Sequence, residues 1–536
     1  MTTFRLVLIQ IVLFFLVGFL GIAFVSHNEV SSLADDSGTY LVMAQYFAAL
    51  GDPPGAVEHL YHSESYPPLF PLVLALTGAA HDFVRAHHMV AVFFAISCVL
   101  LFNLARRHLG GTFLPAICAV TFILLPSTWI NMLGILSENL YLCFSLAALL
   151  VYERWAKSAR NVSWQMAALG ISIGLCALTR TIGFALILAL ILQCVLTRSA
   201  WQDAGGRILV PTLIAAGAYT VWSLVGPDPD VTYIDLAVDN YRAVLESDDH
   251  ELGTYLARNV ATVASAWMNA LLIFWREPSE LRFLIAALLG IFAMTGTLLR
   301  ARQAKLDALY VLCYLAVIVI WPFRNEMPRF LYPLLPLLIM HAYFTFSALL
   351  GKLATAGAPP WAVFVAPMLF ALVCVPPLAF IAGRAAYAEE GQPYPYRHIT
   401  EFYEIPELAI AKSVSERMGQ LVEDLRRVER TTPSGARVLW VKPNFMALLG
   451  RRESTITPSS GEGQGFYRAL LDMNADYVLV SEAVARGNWD GMRAFPHFAP
   501  FSRLLWQRVD VTTGLRQSAL MEIDRARLEQ LAGSSG

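Results

Sequence analysis

Two adjacent carboxylates, Asp35 and Asp36, stand in the stretch Ala34-Asp35-Asp36-Ser37-Gly38-Thr39-Tyr40, just beyond the first membrane-length apolar run, Leu6 to Val25. Carboxylates at a membrane exit are costly to desolvate, and that cost makes them candidates for chemistry. Like-charge repulsion raises one of the two pKa values, which suits a general base; the bland alternative is a solvated loop. Glu138 opens another apolar run within Leu136-Ser137-Glu138-Asn139-Leu140, and Arg180, Arg324 and Arg329 stand at the ends of others. A guanidinium can grip a phosphate through two parallel hydrogen bonds, but it also snorkels to lipid headgroups with no substrate at all. A carboxylate at a helix N-terminus is likewise favoured by the macrodipole alone.

A second group, Glu58-His59-Leu60-Tyr61-His62-Ser63-Glu64, invites a metal reading, because nitrogen and carboxylate donors such as His62 and Glu64 suit zinc. An ordinary surface loop is the stronger reading, and His81, His87 and His88 rate no higher. No cofactor is assigned, and a divalent metal stays open. The seven cysteines all fall in apolar segments without CxxC spacing, so neither a disulfide framework nor a thiolate metal site is expected.

These groups need a frame, and composition supplies its class. With 57% hydrophobic and 15% charged residues in a chain of 536, this is a polytopic α-helical membrane protein. Spans are expected near 6–26, 86–105, 112–130, 139–155, 164–180, 182–197, 208–225, 281–299, 306–323, 330–350 and 361–383, about eleven by the length criterion. The run Pro67–Leu76 is short and opens with Pro67, Pro68 and Pro71. If it does not cross, Arg106, Arg107, Arg154, Lys157, Arg160, Arg198, Arg207, Arg300, Arg302, Lys305 and Lys352 all face the cytoplasm, as short inner loops require. That parity puts the N-terminus inside. Asp35, Asp36, Glu138, Arg180, Arg324, Arg329 and the tail then share the outer face.

The motifs now carry a resemblance. The acidic pair four and five residues before Tyr40, then Tyr66-Pro67-Pro68-Leu69-Phe70-Pro71, Ser137-Glu138, Leu178-Thr179-Arg180 and Pro328-Arg329-Phe330-Leu331-Tyr332-Pro333 resemble, in order over roughly the first 340 residues, the GT-C glycosyltransferases. The lipid A aminoarabinose transferases and protein O-mannosyltransferases are the nearest in pattern. The resemblance implies an inverting enzyme of a bacterial inner membrane that moves a hexosyl or pentosyl group from a polyprenyl-phosphate donor to a lipid, glycan or protein acceptor outside. It further implies Asp36 as base with Asp35 in reserve, Glu138 as a second acidic residue that orients the acceptor or holds a cation, and Arg329, Arg180 and Arg324 on the donor phosphate. Tyr40 and Tyr66 would face substrate. Where the aminoarabinose transferases have Glu-Lys before Pro-Pro, this chain has Ser65-Tyr66, so a phosphate-binding lysine and a carried-over metal ligand are both missing from that place.

The expected organisation is a catalytic membrane domain over 1–384, with outer loops 27–85, 131–138, 226–280 and 324–329, followed by a small extracytoplasmic α/β domain over 385–536. Phe402–Val428 reads as helix, Ala436–Val441 and Ala475–Val480 as buried strands, and Asn444–Gly450 as a helix ended by Gly450. The acidic stretch Pro227–Ser265 is expected to be a lid over the sugar or a linker with an amphipathic helix. The other classes considered are a transporter, which should show repeats and mid-span charges, and a non-catalytic scaffold for envelope glycan assembly. A nucleic-acid partner is not expected.

Overall fold

A computed structural model describes residues 3–26, 29–33, 35–62, 66–156, 163–197, 201–227, 235, 238–239, 241–242, 252–272, 280–355, 362–389, 402–403, 405–457, 463–482, 495–510 and 514–533. The first part is helical: α1 (Thr3–Val25), α2 (Ser37–Ala48), α3 (Gly55–Tyr61), α4 (Leu69–Leu76), α5 (Phe83–Leu109), α6 (Phe113–Leu124), α7 (Pro126–Asn131), α8 (Glu138–Ala156), α9 (Ser163–Thr179), α10 (Ala185–Thr197), α11 (Trp201–Val225), α12 (Leu252–Leu272), α13 (Glu280–Arg302), α14 (Leu306–Ile320), α15 (Met327–Leu331), α16 (Leu335–Thr355), α17 (Ala362–Val373) and α18 (Val375–Glu389). Six stretches of helix among the described residues are long and apolar enough to cross a membrane, with four shorter apolar helices between them. Each of the eleven apolar runs read from the sequence contains helix. The architecture is that of a multi-pass membrane protein.

Proline and small residues shape the bundle. Pro126 takes the first position of α7 after an extended Leu125, which breaks the 112–130 run into two helices. A Cβ added to Gly296 on α13 would lie 2.1 Å from the carbonyl oxygen of His341 on α16, so these helices touch backbone to backbone and no larger residue fits. Helix α4 has eight residues, about 12 Å of rise against a hydrocarbon core of about 30 Å. It cannot cross, and it leaves Leu76 78% exposed.

The 226–280 region differs from a loop. Helix α12 occupies 252–272, buries Trp267, Met268 and Leu271, and hydrogen-bonds through Asn259 Nδ2 to the Val319 carbonyl at 2.7 Å. The acidic side chains Asp228, Asp230, Glu246, Asp248, Asp249 and Glu251 lie outside the described residues.

The last part is a layered α/β unit. After α19 (Leu408–Thr431) come β1 (Arg437–Leu439), a short helical turn α20 (Pro443–Phe445), β2 (Glu453–Thr455), β3 (Tyr477–Ser481), β4 (Ser502–Val509) and β5 (Arg516–Ile523). The sheet order is β2-β1-β3-β5-β4, parallel among the first three and antiparallel for the rest. Alternation along β3 sends Leu479 to one face, with Leu425 and Val428 of α19 and Trp440, and Val478 and Val480 to the other, with Phe466 and Leu528. Val30 and Leu33, from the chain between α1 and α2, complete the first of these cores. The helix expected over Asn444–Gly450 ends at Gly450, and the residue in the left-handed conformation that stops it is the next one, Arg451, φ 47°. The β4–β5 hairpin and β2 are additions to the two strands expected.

Candidate active site

The acidic loop enters α2 through a tight local arrangement. The Ser37 N–H donates to Asp35 Oδ1 at 2.9 Å, and the Ile135 N–H donates to Ser37 Oγ at 2.9 Å, which pins the start of α2 to the turn before α8. Gly134 is needed there: a Cβ at that position would lie 2.9 Å from Asp35 Oδ2 and 2.8 Å from Leu136. The two aspartates therefore face a wall formed by the residues that lead into Glu138.

Four charged side chains from distant parts of the sequence converge. Arg329, in the first turn of α15 beside Pro328, donates from Nε to Glu138 Oε1 and from Nη1 to Asp36 Oδ2. Arg180, at the exit of α9, donates to the same Glu138 oxygen and reaches Ser137 Oγ at 3.4 Å. Glu138 is 1% exposed and Asp36 32%, so the cluster has a buried floor and an open rim. Glu138 Oε2 is buried without a hydrogen-bond partner among the described residues. A buried carboxylate oxygen in that state is costly, and it marks the floor of the cluster as incomplete.

The two aspartates differ electrostatically. Burial pushes the Asp35 carboxyl up to about 7; the Ser37 hydrogen bonds oppose this and the Asp36 charge adds to it. Burial would also raise Asp36, but the charge and hydrogen bond of Arg329, with Lys442 and Arg180 behind, outweigh it and hold Asp36 below the usual carboxylate range. Near neutral pH one of the pair is thus fully ionised while the other titrates.

Tyr40 and Tyr66 lie beside the cluster. Tyr40 is 2% exposed, its hydroxyl shares a 2.8 Å hydrogen bond with Ser137 Oγ, and its ring packs edge-on against Tyr66 and Phe70 at 5.5 and 5.1 Å. Its hydroxyl is used inside the protein, whereas Tyr66 is partly exposed. Arg324 is not brought to the cluster: its Nε donates to Asn259 Oδ1 at 2.6 Å and its guanidinium sits 4.7 Å over the Tyr255 ring, both on α12. His62 is exposed past the end of α3, edge-on to Tyr46 and Tyr61, and Glu64 lies outside the described residues. No three His, Cys, Asp or Glu groups are placed to hold a metal among the described residues. The two carboxylates that could share a cation, Asp36 and Glu138, are bridged by Arg329 instead.

Sequence patterns missed Ser37 and Ser137 as the hydroxyls that lock the acidic turn to α8, although both sit inside the quoted motifs. They also missed Lys442 and Asn444 of the C-terminal sheet domain. Asn444 Nδ2 donates to Thr39 Oγ1 at 2.6 Å.

Comparison with solved structures bears on this arrangement as a whole. ArnT from Cupriavidus metallidurans, solved bound to undecaprenyl phosphate, superposes with a TM-score of 0.56 over 98% of this chain and 99% of its own, at 14% identity. The Archaeoglobus fulgidus oligosaccharyltransferase in its apo form superposes with a TM-score of 0.51 over 95% of this chain and 74% of its own, at 13% identity. The chain has the GT-C fold. No family model and no curated protein sequence matches it. At these identities the likeness is one of architecture, and it extends through the C-terminal α/β unit as well as the helical bundle.

Proposed function

We propose that the chain is an inverting glycosyltransferase that takes a hexosyl or pentosyl group from a polyprenyl-phosphate donor and passes it to a hydroxyl of a lipid, glycan or protein at the outer face of a bacterial inner membrane. The observation that carries this is the convergence of Asp36, Glu138, Arg180 and Arg329 at one end of a GT-C helical bundle, with one buried carboxylate oxygen left without a partner among the described residues. Residues 1–384 form the catalytic membrane part in this reading and 385–536 an extracytoplasmic domain. The N-terminus lies in the cytoplasm, because only then do the arginine-rich connections, such as Arg106–Arg107 and Arg300–Arg302, face inward. The eight-residue α4 supports that parity by being too short to cross.

In the resting arrangement Arg329 is neutralised by Asp36 and Glu138. A donor phosphodiester entering the rim competes for Arg329, and as the guanidinium turns to phosphate oxygens it releases Asp36. Asp36, no longer held by the arginine, gains basicity and takes the proton of the acceptor hydroxyl. That oxygen attacks C1 of the sugar from the face opposite the phosphate, the C1–O bond breaks with its electron pair going to the phosphate oxygen, and the anomeric centre inverts. The departing polyprenyl phosphate needs no proton, since it is stable as an anion. Arg329, backed by Arg180, stabilises the charge that grows on its bridging oxygen. Arg324, held by α12, is left out of this scheme.

The test is an assay of membranes carrying the full chain with radiolabelled polyprenyl-phosphate sugars and a lipid extract. The expected result is release of free polyprenyl phosphate coupled to label in a new product. Absence of product with every pentosyl and hexosyl donor, from protein shown to be folded, would overturn the reading.

A further inference from the structure

Arg329 has to change partners for the site to take a phosphate, yet the segment that carries it has little structure of its own. Between the end of α14 and the start of α16 the chain makes a short turn (Arg324–Glu326), the five-residue α15 and a second short turn (Tyr332–Leu334). Helical pieces of this length do not hold themselves together. Pro333 adds to this, because it offers no N–H to the Arg329 carbonyl four residues back. The position of Arg329 is therefore set by what the segment is tied to.

Two buried tyrosine hydroxyls tie it. Tyr314 of α14 donates to the Phe330 carbonyl at 2.9 Å, supplying a donor that a single-turn helix lacks at its end. Tyr332 donates to Asn139 Oδ1 at 2.7 Å, and both residues are buried. Asn139 follows Glu138 on α8, and Tyr332 follows Arg329 by three residues, about one turn. The same two elements are thus joined twice: by the Arg329–Glu138 ion pair beside the open rim, and by the neutral Tyr332–Asn139 bond, closed to water. The two joints differ in what a ligand can do to them. A phosphate at the rim competes for the guanidinium, but it has no access to a buried bond between a phenol and an amide.

We propose that Tyr332 and Asn139 are positioning residues for Arg329: their hydrogen bond holds the Arg329 turn against α8 while the guanidinium leaves Asp36 and Glu138 for the donor phosphate. This rests on the glycosyltransferase reading and deepens it. With the bond in place, the exchange of partners is a movement of one side chain. Without it, opening the ion pair frees the turn from α8, and the phosphate meets a cation whose backbone is no longer fixed. The loss is therefore felt in the ligand-bound state more than in the resting one.

The test measures binding of undecaprenyl phosphate and of undecaprenol, the same tail without the phosphate, to the purified full chain in detergent, with thermal stability alongside. Tyr332→Phe should lower affinity for undecaprenyl phosphate about fivefold, the contribution of one hydrogen bond, and leave affinity for undecaprenol unchanged. It also leaves the Asn139 amide oxygen buried without that donor, so some stability is lost. Combining Tyr332→Phe with Asn139→Leu removes both polar partners and should regain the stability while the affinity stays low. A role in folding alone predicts that affinity returns with stability, and that outcome overturns the proposal. In an Arg329→Ala background, with no guanidinium to position, Tyr332→Phe should change affinity no further. An equal fivefold loss there would show that Tyr332 does not act through Arg329, which also overturns the proposal. If Tyr332→Phe binds undecaprenyl phosphate as wild type does while Arg329→Ala loses it, this inference falls and the reading of the site stands. Wild-type affinity in Arg329→Ala, or equal binding of phosphate and alcohol by wild type, would overturn both.

Discussion

Helix α8 carries a buried charge cluster near each end, and the two are built differently. At its start, Glu138 has one oxygen that accepts from Arg180 and Arg329 and a second with no donor among the described residues. Toward its other end, Glu153 approaches His108 at 3.9 Å, and His108 in turn meets Arg300 at 2.9 Å. There the central carboxylate is Asp307. Its Oδ1 accepts from Arg300 Nη2 at 2.8 Å, and its Oδ2 accepts from Arg300 Nε at 2.8 Å and meets His341 Nε2 at 2.9 Å. Thr297 Oγ1 holds the other nitrogen of that imidazole at 2.8 Å. Asp307 and Glu138 are equally buried, at 2% and 1% exposure. The difference is saturation. A buried charge with both oxygens hydrogen-bonded holds helices together, here α13, α14 and α16; one with an oxygen short of partners beside an open rim is poised to exchange them.

That contrast can be broken first through stability. Asp307→Asn leaves Arg300 buried and short of a counter-charge, so thermal unfolding in detergent should show a loss of about 3–5 kcal/mol. Glu138→Gln should cost much less stability, because Arg180 and Arg329 keep a path to the rim, while donor-lipid binding and transfer collapse. A Glu138→Gln protein less stable than Asp307→Asn would remove the distinction between the clusters.

Arg329 sharpens the comparison next. Arg329→Ala should weaken undecaprenyl-phosphate binding by about 10–100-fold, and Arg329→Lys should recover only part of it, since a point charge cannot reproduce the planar two-pronged grip. If lysine serves as well as arginine, the residue is a snorkelling cation and not a phosphate ligand.

Smaller effects come from the seam between the domains. Gly38→Val puts a branched side chain where Phe445 lies 3.0 Å from the space of a Cβ, so it should lift α20 from α2 and cost about 1–2 kcal/mol of stability. A melting temperature equal to wild type would show that the docking of α20 does not matter.

A pH dependence is expected at Asp35. Its folded pKa, raised to about 7, exceeds the unfolded value of about 3.9, so folding favours the neutral carboxyl. Its stabilising contribution is complete below about pH 4 and is lost as pH rises toward and through 7. Asp35→Asn should flatten the fall in stability between pH 4 and 7 and melt higher than wild type at pH 8. Parallel melting curves for the two proteins across that range would refute the raised pKa.

How much of this was legible in the sequence varies with the range of the interaction responsible. Asp36, Glu138, Arg180 and Arg329 each sit in a local motif at the end of an apolar run, and residue type with hydrophobic patterning was enough to find them. Arg324 has the same local signature as Arg329, yet it is engaged by Asn259 and Tyr255 of α12, a helix whose mixed polarity reads as part of an acidic loop. Lys442 has no local signature at all. It reaches α2 only because the C-terminal sheet folds back over the acidic loop, and no periodicity in the chain reports such docking. In the sheet itself β1 and β3 stood out as buried apolar strands, whereas β4, Ser502–Val509, is largely open on one side and carries arginines at 503 and 508 that hide its alternation. The helical segment ends at Gly450 as its glycine suggests, but the left-handed conformation that usually falls to glycine is taken by Arg451, which no residue type signals.

The central claim is that Asp36, released by Arg329, is the base. Single-turnover transfer by Asp36→Asn, with the labelled donor that supports wild-type activity and at saturating donor, tests it most directly. The substitution keeps size and removes basicity, so the rate should fall by about 10²-fold or more while undecaprenyl-phosphate affinity stays at or above the wild-type value. A rate equal to wild type, with the protein folded and the donor bound, would contradict the account.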